Sequence, residues 1–261
     1  MSQADPRGPV GSVHSVHPVA AAGFGATDAY EQARPSYPPD AVAALCRATG
    51  IGNGTEVVEL GPGTGKLTRH LVAAGAGVTA VEPVAEMRAK LLETVPEARA
   101  VDATAEATAL PPASADAVVA AQAFHWFRGE ETLGEVHRIL RPGGRLGLMW
   151  AMRDERVPWV RALDELIEPY EAGVPRYRYG TWRAAFERTE LFTPLEEAHF
   201  AYDQEMDADR LVLRLASMSF IAVLPADERQ QILDRAREVV AHLGERFVLA
   251  HVVDVFWCAR R

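Results

Sequence analysis

Residues 57–71 read VVELGPGTGKLTRHL, with glycines at 61, 63 and 65 between a β-branched run and a run of helical spacing. Val57, Val58 and Leu60 suit a pleated, buried strand, and Leu67 and Leu71 fall about one helical turn apart. The stretch reads as a strand over 56–60, a turn almost bare of side chains, and a helix. In an open α/β sheet such a turn lies beyond the carboxyl end of its strand, where ligands bind.

The same rhythm repeats downstream. DAVAALCRA (40–48) predicts a helix leading into the first strand, and VTAVE (78–82) a second strand. AEMRAKLLETV (85–95) carries Met87, Leu91 and Val95 at i, i+4 and i+8; a third strand is expected at 98–101 and a fourth in DAVVAAQ (116–122). Leu133, Val136 and Leu140 share a helical face before a Pro-Gly-Gly break and a fifth strand ending at Trp150. Strands alternating with helices at this spacing indicate the α/β class. Over 153–193, helical segments rich in Trp, Tyr and Arg replace the strands and predict a substrate-cap insertion. LEEAHFAYDQEM (195–206) resumes the strand pattern, helices are expected at 207–219 and 225–243, and ERFVLAHVVDVFWCARR (245–261) returns to the sheet. The expected organisation is a flexible arm over 1–24, rich in Pro, Gly and Ser, and one domain over 25–261.

Composition narrows the function. The chain of 261 residues carries a net charge of -9, and its 27 basic residues form no run; a nucleic-acid partner is disfavoured and a small molecule expected. No apolar stretch reaches bilayer length. The first 25 residues lack the basic start and apolar centre of a signal peptide, so a cytoplasmic protein without membrane attachment is expected. Cys46 and Cys258 have no metal-ligand spacing, which predicts buried free thiols and neither a disulfide framework nor a metal site. No sequence feature sets the oligomeric state.

Spacing separates the ligands that a glycine loop can cradle. A phosphate loop, G-x-x-x-x-G-K-[ST], would need glycine where Leu60 stands and a hydroxyl where Leu67 stands. A dinucleotide fingerprint begun at Gly61 would need glycine at Lys66. What remains is an acidic strand end, Glu59, followed by G-x-G-x-G. A carboxylate there suits a cationic group, and S-adenosylmethionine has both an ammonium and a sulfonium. Glu82, at the end of the neighbouring strand, could accept two hydrogen bonds from the paired hydroxyls of a ribose.

Together VVELGPGTGKLT, TAVEPVAEM, TAEATALPPASADAVVAAQAFHWF, LRPGGRLGLMW and the upstream YEQARPSYP resemble class I S-adenosylmethionine-dependent methyltransferases of the small-molecule kind, close to the trans-aconitate-like group. The resemblance implies a Rossmann-like seven-stranded sheet with its last strand antiparallel and helices on both faces. It matches Glu59, Gly61, Gly63 and Gly65 to the methionine-side loop and Glu82 to the ribose ligand. Ala105 and Glu106 correspond to a pair beside the adenine, and Gln122 to the end of the fourth strand against the cofactor. Tyr30 and Arg34 are implied to fold over the cofactor.

Methyl transfer from a sulfonium rests chiefly on orientation, so a catalytic base is optional. His125, three residues past Gln122, is the candidate, with a structural role as the alternative. Trp126, Trp150 and Trp159 could form an aromatic cage for the substrate or the sulfonium, with packing expected of at least two of them; Trp126 and Trp150 are the substrate candidates, Trp150 as part of the substrate wall. Arg153, Arg176 and Arg178 could bind a carboxylate or lie on the surface. A protein that binds the cofactor on this fold without transferring a methyl group is the competing reading.

Overall fold

A computed structural model describes residues 36–171 and 175–261; the expected arm over 1–24, Tyr30 and Arg34 lie outside the described residues. Helix α1 (Pro39–Thr49) precedes β1 (Glu56–Leu60), followed by α2 (Thr68–Ala73), β2 (Gly77–Val81), α3 (Ala85–Thr94), β3 (Arg99–Val101) and β4 (Ala115–Ala121). Four residues of β1 are buried, as a strand covered on both faces requires. β1 pairs in parallel with β2 on one side and β4 on the other.

Helix α4 (Gly129–Ile139) leads directly into β5 (Leu140–Arg153). The expected Pro-Gly-Gly break lies inside β5: pairing with β4 jumps from Ala115↔Leu140 to Ala117↔Arg145, so the prolyl-glycyl segment is an excursion of the ladder. β6 (Glu196–Met206) and β7 (Phe247–Ala259) complete a seven-stranded sheet in the order β3-β2-β1-β4-β5-β7-β6. β7 runs antiparallel between β5 and β6, the arrangement that the resemblance implies.

Two buried clusters lie against the sheet. One joins Val118, Leu133, Val136, Leu148 and Phe256; the other joins Leu45, Leu71, Val119 and Val255. Cys46 and Cys258 are buried free thiols. A third cluster builds a helical cap: Val160, Leu163 and Ile167 of α5 (Pro158–Ile167) meet Leu211 and Leu215 of α7 (Ala208–Ala216) and Ile232, Ala236 and Val240 of α9 (Ala226–Val240). The cap therefore draws on two chain segments, the expected one over 153–193, which also carries α6 (Ala184–Glu187), and a second between β6 and β7 that contributes α7, α8 (Ser219–Ala222) and α9. Asp207 caps α7 by accepting from the Arg210 amide at 2.8 Å. No helix among the described residues is long and apolar enough to cross a membrane.

Candidate functional site

Two clefts open at the carboxyl edge of the parallel strands, and Gln122 and Trp126 line both. Glu59, Gly61, Gly63 and Glu82 line the first, together with Tyr37 and Phe127.

Glu59 is 1% exposed, and its Oε2 accepts from the Thr68 hydroxyl at 2.7 Å. Burial pushes its carboxyl up to about 7; the Thr68 bond counteracts this and the neighbouring Glu82 adds to it. Glu82 directly follows β2, with its Oε1 accepting from the Val84 amide at 3.0 Å and its Oε2 from the Gly63 amide at 3.1 Å. Burial raises the Glu82 pKa too, opposed by those two amides and by Arg88. The carboxylate thus ties the glycine loop to the neighbouring strand and remains in the cleft wall.

The three glycines have different duties. Gly61 and Gly63 adopt φ of 64° and 59°, the left-handed region. A Cβ on Gly61 would lie 2.9 Å from the Ala123 Cβ, whereas one on Gly63 meets nothing within 4 Å and projects into open space. A Cβ on Gly65 would come within 3.1 Å of Val95 Cγ2. Gly65 therefore lets the loop pack on α3 and does not line the cleft. Ala105 is buried in the sheet core. Glu106 Oε1 accepts from the Arg128 amide at 2.9 Å, just before α4. Neither Ala105 nor Glu106 lines either cleft.

Gln122 holds φ at 56°, a conformation uncommon for residues other than glycine. Its amide donates to Met149 O at 2.8 Å and its side-chain Nε2 to Ala151 O at 2.7 Å. The surrounding structure thus holds a strained residue at the junction of the two clefts.

His125, Arg153, Arg176, Tyr177, Arg214 and Phe220 are among the described residues that line the second cleft, and none of the described lining residues is Asp or Glu. Arg153 is ion-paired with Asp164, both side chains 8% exposed. Behind the wall, buried Glu171 pairs with Arg176 at 3.0 Å and with Arg178 at 2.8 Å. His125 Nδ1 accepts from Trp150 Nε1 at 3.1 Å. Burial, and secondarily Arg176, lowers the His125 pKa to about 3.

The expectation that Trp150 forms part of the substrate wall is overturned. β5 continues to Arg153, so Trp150 lies inside the strand; it is fully buried, with Tyr177 and Trp182 ring centroids each 4.6 Å away. Trp159 packs on Phe247 at 5.4 Å and lines neither cleft.

Sequence reasoning missed Tyr37, Thr68 and Arg214 as site residues. Arg214 had a signal: in RLVLRLASMSF it falls on the apolar face that Leu211, Leu215 and Met218 define, and it is 5% exposed. An arginine on such a face is either paired or functional.

A family profile described as "Methyltransferase domain" matches residues 58–148. The chain is 41% identical over 216 residues to an uncharacterized methyltransferase of Mycobacterium tuberculosis, spanning 83% of this chain and 84% of that one. It is 32% identical over 204 residues to an uncharacterized methyltransferase-like protein of Schizosaccharomyces pombe, spanning 78% and 79%. Among solved structures, the Bacillus subtilis YcgJ protein aligns with a TM-score of 0.57 at 18% identity over 85% of this chain and 98% of that one. A Haemonchus contortus phosphoethanolamine N-methyltransferase 2, solved with S-adenosyl-L-methionine, aligns with a TM-score of 0.55 at 16% identity over 89% and 56%.

Proposed function

The chain belongs to the methyltransferase family, and from that premise we propose that it transfers the methyl group of S-adenosylmethionine to a small-molecule acceptor. When bound, the cofactor supplies an electrophilic methyl carbon on a sulfonium, open to in-line displacement. The residues of the first cleft fit it. Glu59 offers a buried carboxyl to a cationic ammonium. The open space over Gly63 lets the ligand approach the backbone, and Glu82 keeps lone pairs beyond the two filled by Gly63 and Val84 for paired hydroxyls.

The observation that carries the reading is the shared wall: Gln122 and Trp126 bound both clefts, so a methyl donor in one faces an acceptor in the other. Orientation of this kind contributes roughly 7 to 11 kcal/mol to a bimolecular step, which leaves no requirement for a base. A small acceptor suits a cleft closed by Arg214, Ser219 and Phe220 of the cap, and the net charge of -9 disfavours nucleic acid.

Calorimetric titration with S-adenosylmethionine, S-adenosylhomocysteine and NAD tests the first cleft; equal or tighter binding of NAD would sink the assignment. Incubation with methyl-labelled cofactor and a metabolite extract tests the second. Tight binding without label transfer to any metabolite would assign the fold to cofactor binding alone.

A further inference from the structure

Gln122 is clamped to β5 by its backbone and its side chain together. Its amide donates to Met149 O at 2.8 Å and its Nε2 to Ala151 O at 2.7 Å. A carbonyl oxygen only accepts, so the NH2 end of the side chain is turned toward β5 and Oε1 is turned away from it. No described residue donates to that oxygen, and it is not buried. It therefore opens on the space that Gln122 lines, where the two clefts meet. Ala109, Ala113 and Gln122 are the described residues other than glycine with positive φ, and of these only Gln122 lines the two clefts. Strain kept at such a place points to a task for the side chain that it aims.

The described lining of the second cleft offers nothing to take a proton from an acceptor at neutral pH. Trp150 fills the His125 Nδ1 lone pair, and the ring stays neutral. The Tyr177 hydroxyl is committed to Asp254 at 2.6 Å, and Arg153, Arg176 and Arg214 carry no lone pair to offer. An acceptor must therefore attack through a lone pair that it already has. A carboxylate or phenolate has one, and so has a neutral amine. Gln122 Oε1 separates them, because it repels an anionic oxygen and accepts a bond from N–H. An attacking nitrogen becomes cationic, so that bond strengthens on the way to the transition state. Burial, the main cause that keeps His125 neutral, acts in the same direction on an amine.

We infer that the second cleft takes a neutral primary or secondary amine as its methyl acceptor, with an N–H of the amine held by Gln122 Oε1 and its lone pair left free for the methyl carbon. This rests on the methyl-transfer reading and names the acceptor atom within it. The nitrogen lone pair forms the new C–N bond while the C–S bond breaks with its electron pair staying on sulfur. The ammonium so formed releases its proton to water.

The test incubates the full chain with methyl-labelled S-adenosylmethionine and a metabolite extract and locates the label in the product by mass spectrometry. The label should survive alkali and sit on nitrogen. Release by alkali as methanol marks a carboxylate ester, and label on an ether oxygen, sulfur or carbon marks another nucleophile; each overturns the inference. Binding of the amine so identified to the S-adenosylhomocysteine complex gives a second readout. At a pH below the amine's own pKa, calorimetry in buffers of different ionisation heat should find about one proton released per acceptor bound. Binding without proton release overturns the inference, because the amine then enters as ammonium. Gln122→Met keeps the length of the side chain and removes Oε1. It should lower kcat about tenfold or more, the range for hydrogen bonds to charged groups, with S-adenosylhomocysteine affinity within about threefold of wild type. An unchanged kcat, or an affinity that falls as far as kcat does, overturns the inference by taking Oε1 away from the acceptor. Both wild-type readouts decide the matter should the variant fail to fold. If wild type fails to bind S-adenosylhomocysteine, or labels no metabolite, the methyl-transfer reading falls instead.

Discussion

The Trp150 indole donates its Nε1 hydrogen to His125 Nδ1 at 3.1 Å. An indole nitrogen is a donor only, so this bond fixes the tautomer of the neutral histidine with its hydrogen on Nε2. Burial and Arg176 hold its pKa near 3, and the ring presents a donor edge at neutral pH where a general base would need a lone pair. Turnover of an oxygen or nitrogen acceptor should show no acid limb from this ring between about pH 5 and 8. His125→Gln should raise the acceptor KM more than it lowers kcat. Nitrogen-15 shifts of labelled histidine would report the tautomer directly. An acid limb that disappears in His125→Gln together with a rate loss of about 100-fold or more would identify a base.

Glu59 couples the first cleft to pH. Its carboxyl, raised from the ordinary 4.5 to about 7, is favoured neutral in the folded chain. Its contribution to stability is therefore full below about 4.5 and lost as pH rises through about 7. Glu59→Gln should leave stability near pH 4 almost unchanged and increase that of the unliganded protein at pH 8, by up to about 3 kcal/mol. A cationic ligand favours the ionised form, so wild-type affinity for S-adenosylmethionine should rise through pH 7, with a binding enthalpy that varies with the buffer's ionisation heat. Denaturant midpoints and calorimetry check the two halves. If the Gln variant keeps the same pH dependence of binding, Glu59 is not the titrating group.

Two buried imidazoles should weaken folding in acid. His125 and His251 each titrate near 3 in the folded chain, against about 6.5 when unfolded. The unfolded state binds more protons between those values, so stability is full above about 6.5 and falls with pH toward 3, by up to about 1.4 kcal/mol per unit for each histidine. His251→Gln should flatten the loss of urea stability between pH 6 and 4. An unchanged slope would place the acid sensitivity elsewhere.

What the sequence revealed depended on the range of the interactions concerned. β1 at Glu56–Leu60 was legible because its β-branched run and the glycines after it are a local pattern. Glu59 and Glu82 were legible as a pair because parallel neighbours bring successive strand ends together. Trp150 was misplaced because β5 gains its last three residues from pairing with β7, down to Arg153↔His251, a partner about a hundred residues away. The arginine-lined cleft was legible only in part for the same reason: Arg153 and Arg176 were candidates, but their convergence with Arg214 was not visible. Arg153, Arg176 and Arg214 come from β5 and two separate cap segments, and nothing near Arg153 in sequence announces that it will be buried with Asp164. Periodicity reported the Pro-Gly-Gly turn chemistry and the strand beyond it, but not that the ladder begins before it, at Ala115↔Leu140.

Glu82 ties the glycine loop to β2 and also faces the cleft. Replacing it with Ala removes the acceptor of both the Gly63 and Val84 amides and the expected contacts to ribose hydroxyls. Affinity for S-adenosylhomocysteine should fall by about 1.5 to 3 kcal/mol, the range for hydrogen bonds to a charged group. A cofactor analogue lacking both ribose hydroxyls separates the two contributions. It should bind wild type and Glu82→Ala with a smaller difference than S-adenosylhomocysteine does; an equal difference would confine Glu82 to the loop.

Gly61 and Gly63 make the sharpest contrast, because the same methyl added at each meets different surroundings. At Gly61 it combines a φ of 64° with a Cβ 2.9 Å from Ala123 Cβ and 3.2 Å from Phe127 Cζ, in a wall that cannot yield without moving the strand end. Gly61→Ala should therefore cost about 2 to 4 kcal/mol of stability, backbone strain and overpacking together, and abolish cofactor binding with it. At Gly63 the backbone is equally left-handed, φ 59°, but the space is open. Only the backbone penalty of about 1 to 2 kcal/mol applies to folding, while the methyl occupies volume the cofactor needs. Gly63→Ala should thus keep most of its stability and lose about tenfold or more in affinity, as displacing a close contact of about 1.4 kcal/mol requires. Urea midpoints and calorimetry on the two variants read the two effects separately. Equal stability losses, with wild-type affinity in Gly63→Ala, would mean that the cofactor does not approach the loop at residue 63.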